Sequence, residues 1–145
     1  MTSLEESSSD KGQRTQSARW LSQSKHDLRA ARINSDSGLY AWACFMSHQA
    51  AEKAVSAYLY ARGAELIWGH GIADLCEDAM AFEPSFDLVK SSAIQLDKYF
   101  FGSRYPTTMP SGTPFESYAL EDALRAMAIA EETISFVDRQ IELLE

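Results

Sequence analysis

Two cations in this chain stand where a phosphate could be gripped. Lys53 lies in the run Gln49-Ala50-Ala51-Glu52-Lys53-Ala54, one helical turn after Gln49, so on a helix the amide and the ammonium share a face. Lys53 would bring a compact point charge to a phosphate; otherwise it is a surface lysine pairing with Glu52 or with the acids of the second half. Gln49 suits a ligand hydrogen bond or, more simply, a cap on a neighbouring helix. Arg104-Tyr105 is the second candidate. An arginine in a loop can hold phosphate through two parallel hydrogen bonds while a tyrosine ring stacks on a base. The same pair could instead be structural, Arg104 holding loop carbonyls while Tyr105-Pro106 plugs the bundle. His70 follows Trp68-Gly69 near a helix start and suits an anion contact, or more simply a buttress between helices.

Other chemistries lack their residues. His26 and His48 share no metal-ligand spacing with each other or with Cys44 and Cys76. Glu131 and Glu132 are adjacent and cannot face one site together, and no Glu-x-x-His pair of the di-metal bundle type occurs. No Gly-rich phosphate cradle or Ser/His/Asp arrangement is present either. We therefore expect no metal and no catalytic residue, and assign the Met and aromatic positions of the second and last helices to the core.

The elements that must carry these residues are helical. Met1 to Gly12 is rich in Ser and acids and reads as a disordered leader or linker; residues 13–145 read as one helical domain. Trp20, Leu21, Ser24, Leu28 and Ala31 recur at helical steps and predict a first helix over about Gln13–Ile33, stopped by Asn34-Ser35-Asp36-Ser37-Gly38. A second helix is expected over Leu39–Ala61, closed by Arg62-Gly63. Shorter helices are expected near Gly71–Met80 and Asp87–Phe101, with a loop over Gly102–Ser117 that holds three of the four prolines. In the last helix Ala123, Met127, Ala130, Ile134, Val137, Ile141 and Leu144 advance by alternating steps of 4 and 3, a seam for packing against another long helix. No stretch sustains the two-residue alternation of a strand. The expected fold is all-α, an up-and-down bundle of about five helices.

Bulk properties narrow the partners. The 145 residues suffice for one domain with one real core. No apolar run could cross a bilayer and no secretory signal pattern opens the chain, so no membrane contact is expected. The two cysteines are best read as buried free thiols in a reducing, cytoplasmic setting, although one disulfide would be compatible with the count. Net charge is −8 and lopsided, with 8 Lys/Arg against 6 Asp/Glu through Arg62 and 5 against 15 from Gly63 onward. Such a balance repels long nucleic acid while leaving room for a local pocket that takes one small phosphate compound.

Three patterns in order resemble the HEPN domain family. They are Trp20-Leu21 with Lys25, Asp27-Leu28 and Ala30-Ala31; Phe45 with Gln49 to Ala54, Tyr58-Leu59 and Gly63; and His70 with Leu75, then Arg104-Tyr105-Pro106 before the Ala-rich last helix. The resemblance spans about Ala18 to Leu144. It implies a helical bundle that commonly dimerises and has a groove able to hold a nucleotide. The family's settings include partners of nucleotidyltransferases, ribonuclease toxins and the terminal domain of the chaperone-related protein sacsin. The acidic, Ser-rich leader points to the sacsin-like setting. One departure bears on activity. Ribonuclease members carry an Arg followed about four to six residues on by a His, which supplies a proton donor or acceptor near neutrality. Here no Arg has a His at that distance, and Ser56 stands where the family often has a second Lys.

The expectation is a non-catalytic, dimerising module with GTP or ATP as ligand and no obligatory cofactor, auxiliary to a larger chaperone-related chain and able to contact its other domains. Two alternatives stand beside it: a purely architectural dimerisation domain, and a ribonuclease or nucleotidyltransferase partner.

Overall fold

The computed structural model describes residues 8–67 and 71–145, with the Ser9 side chain left aside. Five helices of eight residues or more make the body: α1 (Ser8–Asp36), α2 (Tyr40–Ala61), α3 (Ile72–Met80), α4 (Phe86–Ala93) and, last in the chain, α7 (Leu120–Glu142). Two single-turn helices, α5 (Tyr99–Gly102) and α6 (Pro114–Ser117), lie between α4 and α7, with 3-10 turns at Ile94–Leu96 and Pro106–Thr108. Among the described residues there is no strand, as the absence of two-residue alternation requires.

The α1–α2 hairpin forms because both faces are small. Ala50, Ala51, Ala54 and Ala57 of α2 are fully buried. Ser17 and Ser24 of α1 donate across the seam to the carbonyls of Ala57 (2.8 Å) and Ala50 (2.6 Å). Backbones can approach that closely only without bulky side chains between them. Both helices end the same way. Gly38 (φ 81°) and Gly63 (φ 108°) take the left-handed conformation. The following N–H groups of Leu39 and Ala64 then reach back to the carbonyls of Asn34 and Leu59 at 2.8 and 3.0 Å, the Schellman pattern. Gln13 Nε2 donates to the Gly63 carbonyl at 2.9 Å and ties the N-terminal part of α1 to the end of α2.

α7 runs antiparallel to α1, as the ion pairs Lys25–Asp138 and Arg32–Glu131 show. Its first turn is capped by Asp122, whose carboxylate accepts from the Ala119 N–H at 2.8 Å. The expected seam packs inward from Ala123 to Ile141. Leu144 does not take part: it lies beyond the end of α7 and is exposed. Phe86 packs at a tilt against Tyr58 and edge-to-face against Phe136, at 4.5 and 5.0 Å between ring centroids.

Three expected boundaries differ. α1 begins at Ser8 rather than Gln13, its acidic Asp10 favourably placed in the first turn; residues 1–7 of the expected leader lie outside the described residues. The helix expected over Asp87–Phe101 is broken into α4, a 3-10 turn and α5. Breaking it lets Leu96 and Tyr99 enter the core while Asp97 turns toward the start of α3, which a straight helix could not do. The Gly102–Ser117 loop holds two short helical turns, each opened by proline at its first positions.

Candidate functional site

Asp97 organises one side of α2. Its Oδ1 and Oδ2 accept the N–H groups of Ile72 (2.7 Å) and Ala73 (3.1 Å), two of the donors that the first turn of α3 leaves without helical partners. Gly71 permits this approach, since a Cβ there would stand 3.0 Å from Oδ2. Asp97 Oδ1 also lies 3.1 Å from His48 Nε2, and His48 Nδ1 lies 3.2 Å from the Gln49 side-chain amide. His48 is fully buried. Burial lowers its pKa below the ordinary imidazole value, with the Asp97 hydrogen bond opposing the change. One turn on, the half-buried Glu52 has its pKa raised to about 7, first by burial; Lys53 opposes this and Asp97 adds to it.

Arg104 sits at the edge of this cluster in an aromatic setting. Its guanidinium carbon is 4.3 Å from the Phe45 ring centroid, 4.8 Å from Phe100 and 4.9 Å from Tyr105. Nε donates to the Phe100 carbonyl at 2.7 Å, which fixes the plane of the group. No carboxylate among the described residues pairs with it, so its charge is held by ring faces rather than cancelled. Phe100 also packs edge-on against His48, 5.5 Å between centroids, joining the two halves of the cluster. Outward, Phe101 (59% exposed) and Tyr105 (47% exposed) offer ring surface to solvent.

Lys53 is elsewhere in effect. Its ammonium meets Asp27 Oδ2 of α1 at 2.5 Å, with both side chains mostly buried. Gln23 Nε2 donates to the other Asp27 oxygen at 2.9 Å. The groove here is shallow, lined by Gln16, Arg19, Trp20, Gln23 and Lys53. The face expected to be common to Gln49 and Lys53 is therefore divided. Gln49 turns to His48 and Lys53 to α1, because on a helix packed on two sides neighbouring turns find different partners. Arg104 and Tyr105 do come together. His70 lies outside the described residues.

Sequence reading missed His48, Glu52, Asp97, Phe45 and Phe100 as one group. Only the Phe45 to Glu52 spacing is visible locally; Asp97 arrives from 49 positions beyond His48. Cys44 and Cys76 are free and buried, their thiol pKa values pushed to about 12 chiefly by burial, which makes them poor nucleophiles. Among the described residues no cluster of three or more His, Cys, Asp or Glu could hold a metal ion, and no helix is long and apolar enough to cross a membrane.

The HEPN domain family model matches residues 17–140, which takes in the whole cluster. A solved protein from Thermus thermophilus is 36% identical, with a TM-score of 0.76 over 86% of this chain and 97% of that one. A structure described as an archaeal HEPN homologue is 35% identical, with a TM-score of 0.72 over 87% and 98%. A HEPN domain protein of Thermotoga maritima is 31% identical, with a TM-score of 0.69 over 86% and 98%. No curated protein matches the chain. With the family model covering most of its length and the bundle shared with these structures, the chain belongs to the HEPN domain family.

Proposed function

We propose that this protein is a non-catalytic, self-associating binding module that holds a nucleotide such as GTP or ATP at the Arg104 corner. The observation that carries this reading is the guanidinium of Arg104, oriented by Phe100, flanked by ring faces and without a carboxylate partner among the described residues. Its terminal nitrogens suit a phosphate, and the exposed rings of Phe101 and Tyr105 suit a base. The state of His48 supports binding over turnover. It is buried, and both ring nitrogens are engaged within the protein, so it offers no proton to a bound phosphate.

We place the module in a cytoplasmic setting, consistent with its buried free thiols, and as an auxiliary part of a larger, sacsin-like chaperone-related chain, on the acidic and Ser-rich composition of its leader. The test is calorimetric titration of the purified chain with GTP and with ATP, with and without magnesium. Saturable micromolar binding is expected, weakened by Arg104→Ala. Unchanged affinity in that variant would remove the site assignment, and no heat at millimolar nucleotide would leave an architectural module. RNA cleavage that vanished with Arg104→Ala would instead favour the enzyme reading.

A further inference from the structure

Six of the chain's thirteen Lys and Arg residues lie on α1 and stand exposed: Lys11, Arg14, Arg19, Lys25, Arg29 and Arg32. The single acid between Lys11 and Arg32 is Asp27, which turns inward to Lys53. A chain of net charge −8 thus presents a cationic helix face about 30 Å long.

α7 covers one flank of that face, and it does so with acids in register. Lys25 and Arg32 stand two turns apart and meet Asp138 and Glu131, also two turns apart on the antiparallel helix, at 2.9 Å each. The other flank repeats the period. Arg19, Ser22, His26 and Arg29 follow at steps of 3, 4 and 3, all exposed, and form one ridge. Arg19 Nη1 donates only to the neutral Gln16 side chain, at 2.9 Å. His26 and Arg29 make no hydrogen bond or ion pair to another described residue. Two shallow grooves meet at Arg19, one lined by Gln16, Trp20, Gln23 and Lys53, the other by Ala18, Ser22, Gln23 and His26. Trp20, half-buried and packed on Tyr60 at 5.4 Å between centroids, gives the first groove an apolar side.

Charge decides what fits. A long nucleic acid would meet the repulsion of an acidic chain beyond the ridge. A lipid surface would want apolar side chains to insert, and Arg19, Ser22, His26 and Arg29 offer none. A helix with carboxylates in a row along one side would repeat on this flank what α7 does on the other.

We infer that the Arg19–Arg29 ridge of α1 docks an acidic helix of a different protein, with its carboxylates in one row and an apolar side chain against Trp20. Neither the Arg104 corner nor self-association enters this reading. The test is fluorescence anisotropy of the purified chain with a labelled, alanine-rich helical peptide of about twenty residues, long enough to span the ridge. The peptide carries glutamates at steps of 3, 4 and 3 and one leucine beside them. A second peptide of the same composition has its glutamates scattered around the helix. The expected result is saturable, salt-sensitive binding of the striped peptide, weakened about tenfold or more by Arg19→Glu with Arg29→Glu. Arg125→Glu on α7 should change it less than about twofold. All three arginines are exposed, and circular dichroism confirms that each variant keeps its helices. No binding of the striped peptide would overturn the proposal, as would equal binding of the scattered one. A loss with Arg125→Glu as large as with the ridge variant would show that net charge, not this face, is read. Tighter binding of single-stranded RNA or of phosphatidylserine vesicles, abolished by the same ridge variant, would overturn the choice of an acidic helix.

Discussion

The two cations flanking α2 show how differently one charge can be housed. Lys53 is neutralised by Asp27, which is itself held by Gln23, and its ammonium is mostly withdrawn from solvent. Arg104 is surrounded by Phe45, Phe100 and Tyr105, groups that steady a cation without cancelling it. A paired cation must give up its carboxylate before it can take a phosphate. A cation on ring faces has no carboxylate to give up. Availability, rather than charge, separates the two sides.

The largest effect should come from breaking the support of the Arg104 side. Asp97→Ala strips two N–H groups at the start of α3 and the partner of buried His48. It should cost about 3 kcal/mol of folding stability, read as a shifted denaturation midpoint at unchanged slope. A cost below about 1 kcal/mol would mean that water replaces the carboxylate without loss. Arg104→Lys sharpens the comparison next. An ammonium lacks the planar fork, so this variant should lose about tenfold or more in nucleotide affinity, whereas Lys53→Ala should lose less than about twofold. Equal losses would place both cations in one site.

On the Lys53 side, a double-mutant cycle between Lys53→Ala and Asp27→Ala should return a coupling of about 1 kcal/mol, more than a fully exposed pair because both side chains are mostly buried. Zero coupling would leave Lys53 free to meet a ligand. The smallest effect concerns pH. Glu52 has its folded pKa raised to about 7 from an ordinary 4.5. Between these values the folded state holds the extra proton, so this group's contribution to stability falls as pH rises from about 4.5 through 7. Glu52→Gln should therefore raise the melting temperature above pH 7 by roughly 2 °C, discounted for partial exposure, and the gain should vanish toward pH 4.5. His48 works the other way. Its folded pKa is lowered, so stability is lost as pH falls below its ordinary value of 6.5. A gain from Glu52→Gln that held at every pH would show that ionisation is not its cause.

Much of this was written locally. The helical periodicity of α1, α2 and α7, the Gly38 and Gly63 stops and the buried state of both cysteines follow from patterns within a few turns of chain. The Arg104-Tyr105 pair was also visible, because a cation beside an aromatic in a Pro-flanked loop is a local signature. The break after α4 was not, since its residues carry ordinary helix formers and the turn is driven by burial of Leu96 and Tyr99. Nor was Asp97, which is one acid among many in an acidic half until α3 and His48 are brought to it.

Composition and period by themselves determined that the chain is an all-helical bundle with a divided charge, because helix formation and amphipathic burial depend on neighbours a few residues apart. Which cation would meet a carboxylate within the protein and which would meet ring faces was decided only by tertiary packing. Lys53 and Arg104 carry the same charge, and it took α1 to bring Asp27 to one and the α5 region to bring ring faces to the other. Coulomb pairing acts over a few ångströms of space, and only the folded chain sets those distances.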